Sequence, residues 1–169
     1  DTLEPDLLTT TVLSEDFEAG DGGFLSTADG SGTAIWEHGA PTSGPGAANS
    51  GSNVWATVLG GNYAVNSNIA YLTTPALALP SGAPQLNFAY WQDNESSCNW
   101  DYTSLEIDDG TGGGFVTLDD GDSCASGLAE TSGSWVNVSI DLSTFAGQTV
   151  TLRFVHDSDS SASSYPGTY

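Results

Sequence analysis

Between Trp135 and Phe154, apolar and polar residues alternate with a period of two. Val136, Val138 and Ile140 alternate with Trp135, Asn137 and Ser139. After a turn at Phe145-Ala146-Gly147, Val150, Leu152 and Phe154 alternate with Thr149, Thr151 and Arg153. A period of two on both sides of a Gly-containing turn predicts two strands, each burying one face. The same pattern recurs upstream, with Leu86, Phe88 and Tyr90 over Gln85–Gln92, and with Leu105 and Ile107 over Thr103–Asp108. Shorter strands are expected at Val12–Glu18, Ala34–His38, Val54–Thr57, Ile69–Thr73 and Phe115–Leu118. Gly-, Ser-, Asn- and Asp-rich segments separate them: Gly20–Thr33, Gly39–Asn53, Asp93–Asp101, a hairpin turn at Asp109–Gly114, and Asp119–Gly133. Leu77–Pro84 reads as a plain connection. About nine short strands at this spacing, with no amphipathic helix, predict an all-β chain: a two-sheet antiparallel β-sandwich of jelly-roll type. Residues 1–11 read as an acidic linker or tail and 12–169 as one sandwich domain.

Charge narrows the choice of partners. The 169 residues carry 22 Asp and Glu against one cation, Arg153, for a net charge of −21. A phosphate-binding surface needs a basic patch, so nucleic acid is excluded as a partner. Anionic membranes are disfavoured for the same reason, and no apolar run is long enough to span a bilayer. Self-repulsion at this charge favours either a saline setting or specific cation sites.

Ca²⁺ takes six to eight hard oxygen ligands. The chain offers Asp16 and Glu18 in the first expected strand, Asn53 at the end of the long loop, and Asp93 with Glu95 and Asp101 in the next acidic loop. No EF-hand spacing is present, and the alternative is that these acids are simply solvated. A second candidate is a sugar-binding surface, where an aromatic face meets apolar CH groups and polar neighbours take the hydroxyls. Trp100 and Tyr102, with Asn99 and Asp101, form such a set, and Trp36 and Tyr63 are further possibilities. Trp55, Trp91 and Trp135 read as core. Arg153 falls on the polar face of its strand, as Glu106 does on another. It serves either as half of an ion pair with Glu106 or as a bidentate fork for an acidic sugar or a terminal carboxylate.

The histidines, His38 and His156, belong to no HExxH motif, and there is no Gly-x-Ser-x-Gly elbow, so no catalytic residue is assigned. Cys98 and Cys124 have no metal-ligand spacing around them. A disulfide between them would close 27 residues and stabilise by about 3.5 kcal/mol on the chain-entropy estimate. Two free thiols are the alternative.

An ordered set of short motifs resembles a known family. Glu15-Asp16-Phe17-Glu18 is followed by Gly51-Ser52-Asn53-Val54-Trp55-Ala56-Thr57, then Tyr71-Leu72-Thr73-Thr74-Pro75, then Leu86-Asn87-Phe88 with Trp91. Trp135–Asp141, Leu142-Ser143, Ala146-Gly147, Leu152-Arg153-Phe154 and Ser158-Asp159 complete it. The order is similar to that of the MAM-like jelly-roll modules attached to secreted bacterial proteins, including the accessory domain of immune-inhibitor-A-type metallopeptidases. The resemblance covers roughly residues 14–169. It implies an extracellular, non-catalytic sandwich, often calcium-bound, with Glu18 matching the acid beside the ion. From the residues and the resemblance together, the expected partner is a polysaccharide or cell-surface glycan, and the alternative is an interaction domain that packs on a parent catalytic domain with no small ligand. Such modules continue past their Gly-aromatic-Tyr motif into an Ile-Asp-Asp strand. Here Pro166-Gly167-Thr168-Tyr169 reaches only the first part, so the domain is expected to be cut before its last strand.

Overall fold

The structure, a computed structural model, describes residues 10–30, 32–64, 68–95, 100–118, 128–129, 131, 133–161 and 164–169. Residues 1–9, Cys98, Asn99 and Cys124 lie outside the described residues, and with them most of the expected tail, one expected ligand and the expected disulfide. Among the described residues, every regular element except a 3-10 turn at Ser143–Phe145 is a strand. In chain order they are β1 (Leu25–Ala28), β2 (Glu37–Gly39), β3 (Val54–Ala56), β4 (Asn68–Thr73), β5 (Leu77–Ala78), β6 (Gln85–Tyr90), β7 (Gln92–Asp93), β8 (Tyr102–Asp108), β9 (Val116–Thr117), β10 (Val136–Asp141), β11 (Thr149–Ser158) and β12 (Gly167–Thr168). The chain is all-β and its described pairings are antiparallel.

The large sheet runs β1-β4-β11-β8-β9, with β5 added alongside the start of β11. β6 and β10 form a separate pair. Their inner residues Leu86, Phe88, Val138 and Ile140 pack on Leu105, Ile107, Val150, Leu152 and Leu77 from the large sheet. This is the sandwich core that the alternation predicts. Burying each such aliphatic side chain contributes roughly 1.5–3 kcal/mol. A smaller cluster of Trp36, Ala70 and Leu72 extends it under β1 and β4.

β7 pairs with β12, and this corner of the core is polar. Thr103 Oγ1 lies 2.8 Å from Thr168 Oγ1 and 3.1 Å from Nδ1 of the fully buried His156. Thr168 Oγ1 donates to Gln92 Oε1 (3.1 Å), and the Thr168 amide donates to Thr57 Oγ1 (3.1 Å). Hydroxyls serve here because each both donates and accepts, so a buried polar chain can close on itself. Gly167 adopts φ 97°, and a Cβ there would collide with Thr57 Oγ1, so the close approach requires glycine.

Two expectations are corrected. Val12–Glu18 is not a strand, and β1 forms inside the segment expected to be loop. The acids explain the first correction. Asp16 Oδ1 accepts the Glu18 amide (3.1 Å), while Glu18 Oε1 accepts the amides of Ser52 (2.8 Å) and Asn53 (2.7 Å). Side chains that bond backbone in this way compete with a sheet ladder. Phe17 between them takes φ 60° and packs edge-on against Phe24. Second, Leu77–Pro84 is not wholly a connection, because Leu77 and Ala78 pair with Val150 and Thr149. The two strands expected on either side of the Gly-containing turn are present as β10 and β11, and they do not pair with each other. β10 pairs with β6, and β11 pairs with β4 and β8, so Phe145-Ala146-Gly147 carries the chain between sheets.

Burial holds the His156 imidazole down to about 4. In the unfolded chain it titrates near 6.5. The unfolded state therefore binds the extra proton between these values, and stability present above pH ~6.5 is lost as pH falls toward 4, by roughly 3 kcal/mol in all. Urea unfolding at pH ~7.5 and ~5.0 is expected to show about 2 kcal/mol of this loss in the wild type, and a much smaller one in His156→Gln.

Candidate functional site

Two arrangements stand out, one at the end of the β8–β11 ladder and one on the outer face of the large sheet. β8 and β11 are in register with Tyr102 opposite Asp157 and Glu106 opposite Arg153. Asp101 immediately precedes β8, and Asp159 immediately follows β11. The Asp159 amide donates to Asp101 Oδ1 at 2.6 Å, so a side chain prolongs the ladder past its last backbone pair. Asp101 Oδ2 accepts the Tyr63 hydroxyl (2.6 Å), and that hydroxyl in turn accepts the Glu95 amide (3.1 Å). Carboxylate oxygens of Glu95, Asp101 and Asp159 all lie within 4.8 Å of one another.

Asp101 is fully buried. Glu95 Oε2 is shielded from solvent and has no hydrogen-bond partner. Desolvation first, then the charges of Asp159 and Asp101, raise the Glu95 carboxyl above its ordinary value. Burial, reinforced by donation to Asp101, pushes the Tyr63 hydroxyl far up, so it stays a donor to the cluster. Three converging carboxylates form an acidic cluster that could hold a metal ion.

On the outer face, Arg153 Nε donates to Glu106 Oε2 at 2.6 Å. The guanidinium carbon lies 4.1 Å from the Tyr71 ring centre and 3.9 Å from that of Phe115. The ion-pair reading of Arg153 is therefore present, with two aromatic faces added. Beside it opens a cavity of about 350 Å³, lined by residues of β4, β8, β9 and β11. Tyr102 donates its hydroxyl to Asp157 Oδ2 there (3.2 Å). Burial raises the Asp157 carboxyl above its ordinary value.

The other expected ligands are scattered. Glu18 and Asn53 do meet, but through the Asn53 amide, while Asp93 lies in β7. Trp100 is exposed (58 %) next to the acidic cluster, as a platform requires. Trp36 and Tyr63 are core residues, 6 % and 2 % exposed, which removes them from the sugar-binding candidates. Asp101 faces the cluster, whereas its neighbour Tyr102 faces the cavity, because successive strand residues point to opposite faces. Sequence reasoning assigned no role to Asp159, Tyr71 or Asp157, and offered Tyr63 only as a sugar-binding aromatic, not as a donor to the acidic cluster. Parity with Arg153 along β11 marks Asp157 as outward-facing, and that signal was available. Nothing local marked Tyr63, whose partners lie 32 and 38 residues away.

Fold and site together define a small all-β module whose chemistry-bearing residues sit at one ladder end and on one sheet face. No family model matches the chain. It is 31 % identical over 163 residues, 95 % of its length, to Bacillopeptidase F of Bacillus subtilis (strain 168). The chain spans about a tenth of that relative. Among solved structures, the K1 cleaved adhesin domain of Lys-gingipain from Porphyromonas gingivalis W83 aligns with 79 % of this chain and 94 % of that domain, at 21 % identity and a TM-score of 0.37. No helix of the described residues is long and apolar enough to cross a membrane.

Arg153 and Glu106 are about one-fifth exposed, so the pair falls between a surface and a buried ion pair. Arg153→Lys keeps the charge but loses the flat guanidinium that stacks while it donates. A cost of about 1–2 kcal/mol is expected in urea unfolding, and a larger one for Arg153→Ala, which strands Glu106.

Proposed function

We propose that this chain is a non-catalytic extracellular module of a secreted peptidase or adhesin, that Ca²⁺ fixes its loops, and that it holds its parent protein against a surface glycan. The observation that carries the calcium reading is the convergence of Glu95, Asp101 and Asp159, with Glu95 Oε2 shielded and unpartnered. All the donors are hard carboxylate oxygens, with no nitrogen or sulfur among them. That set suits Ca²⁺ or Mg²⁺, and an irregular set of carboxylates suits the more flexible Ca²⁺ shell. A cation there would tie the segment after β7 to the ends of β8 and β11. The match to a tenth of a peptidase chain supports an appended module. The MAM-like resemblance supports the same reading, with the parent catalytic domain as a further contact.

The test is a thermal melt in EDTA, in millimolar Ca²⁺, and in NaCl of equal ionic strength. At a hundredfold excess over Kd, Ca²⁺ stabilises by about 2.7 kcal/mol, which for a domain of this size is roughly 5–10 °C. The rise is expected with Ca²⁺ and not with NaCl. Glu95→Gln relieves the repulsion, so in EDTA it should melt above the wild type, while its increment with Ca²⁺ disappears. Equal rises with both salts would reduce the effect to screening of the −21 charge.

A further inference from the structure

The outer face of the large sheet carries a built cavity that none of the comparisons assigns. Its form follows from register. Along β11, Arg153, Val155 and Asp157 share the outer face, about 7 Å apart. Opposite them on β8 stand Glu106, Ser104 and Tyr102. The end pairs are long and polar, and the middle pair, Val155 and Ser104, is short and buried. A trough therefore opens over Val155 and Ser104. Tyr71 of β4, in register with Val155, closes one side, and Thr117 of β9, in register with Glu106, stands at the other. At about 350 Å³ the volume falls at the small end of ligand-binding clefts, which run from roughly 300 to 1,000 Å³.

We propose that this trough binds a neutral sugar unit of a polysaccharide. The inference rests on the binding-module reading above and supplies its site and ligand class. The polar groups decide the chemistry. Arg153 only donates, Glu106 and Asp157 accept, and Ser104, Thr117 and Tyr102 do both. A phosphate, sulfate or carboxylate offers only acceptors and would meet two carboxylates beside one guanidinium that is already paired. It would also be repelled by the net charge of −21. An ammonium group offers only donors and would meet the guanidinium. Sugar hydroxyls donate and accept, carry no charge, and match the whole set. The apolar floor at Val155 and the ring of Tyr71 suit the CH face of a pyranose. Two of the expected ligand residues, Tyr102 and Arg153, belong to this site, whereas Trp100 and Asp101 do not.

The experiment is affinity electrophoresis of the full chain in Ca²⁺, through gels containing mixed-linkage β-glucan, hydroxyethylcellulose, galactomannan or amylopectin. Polygalacturonate and poly-lysine serve as charged controls. Thr117 is exposed, so Thr117→Trp fills the trough without disturbing the core, and its melting temperature checks the fold. Asp157→Asn removes an acceptor charge and keeps the shape. Trp100→Ala removes an exposed aromatic outside the trough. Retardation by at least one neutral polysaccharide is expected, weakened about tenfold or more by Thr117→Trp and by Asp157→Asn, and unchanged by Trp100→Ala. Retardation lost in Trp100→Ala but kept in Thr117→Trp would overturn the trough and leave the module reading standing. Retardation by poly-lysine alone, by polygalacturonate alone, or by nothing would overturn the neutral-sugar assignment. The calcium melt reports on the loop-fixing cation independently.

Discussion

The ladder that β11 makes with β4 on one side and β8 on the other is the constraint on which the rest of the molecule depends. Ten residues long, β11 is the longest strand, and it touches both clusters that matter. Its inward residues, Val150, Leu152 and Phe154, reach the sandwich core, and His156 closes the polar corner under β12. Its outward residues, Arg153, Val155 and Asp157, form the middle row of the trough. A slip of one residue would exchange the two sets and place a guanidinium and a carboxylate in the core. The hydrophobic pattern therefore fixes the register, and the register fixes the site.

Charge is managed locally, with a single cation available. The one Arg is placed where two carboxylate-bearing strands meet on the outer face, and two rings shield it. Elsewhere acids use hydrogen-bond donors in place of counter-charges. Asp109 and Asp141 accept from Thr111 and Ser143 two residues on, and both carboxyls titrate below their ordinary values because of those bonds. Glu18 does the same across the fold with two amides. The Glu95–Asp101–Asp159 cluster differs because its carboxylates face one another: the Tyr63 hydroxyl and the Asp159 amide donate to Asp101 and Ser161 donates to Asp159, while Glu95 Oε2 has no partner.

Much of this was legible in the sequence wherever a period of two ran long enough. Leu105 and Ile107 against Glu106, and Leu152 and Phe154 against Arg153, assigned faces correctly, and of the two roles this left open for Arg153 the ion pair with Glu106 is the one present. Pairing partners were less legible, because alternation says which face is buried and not which strand lies alongside. Hence β10 and β11, neighbours in sequence, belong to different sheets. The acidic run at Glu15–Glu18 misled for a definite reason: its carboxylates take amides from 34 and 35 residues away, an interaction with no local signature. Trp36 and Tyr63 were misplaced by the same limit. A polar-tipped ring in a short strand or loop looks exposed until its buried acceptor is known, here Ala70 O for Trp36 and Asp101 for Tyr63.

Alternation at the start of β8 explains why Asp101 and Tyr102 serve different sites, whereas Asp159 shares the parity of Asp157 and reaches the cluster because it lies past the end of β11. Asp101 and Tyr102 are consecutive, and so are Asp157, Ser158 and Asp159 at the opposite end of the same ladder. Tyr102 and Asp157 turn outward and bond to each other. Asp101 and Asp159 bond to each other one step further along, through a side chain and an amide. The second bond lies past the last backbone pair of the ladder, where the Asp101 side chain reaches the amide two residues beyond Asp157. The acidic cluster and the near end of the trough are thus neighbours on one pair of strands, joined through the backbone from Asp101 to Tyr102 and from Asp157 to Asp159.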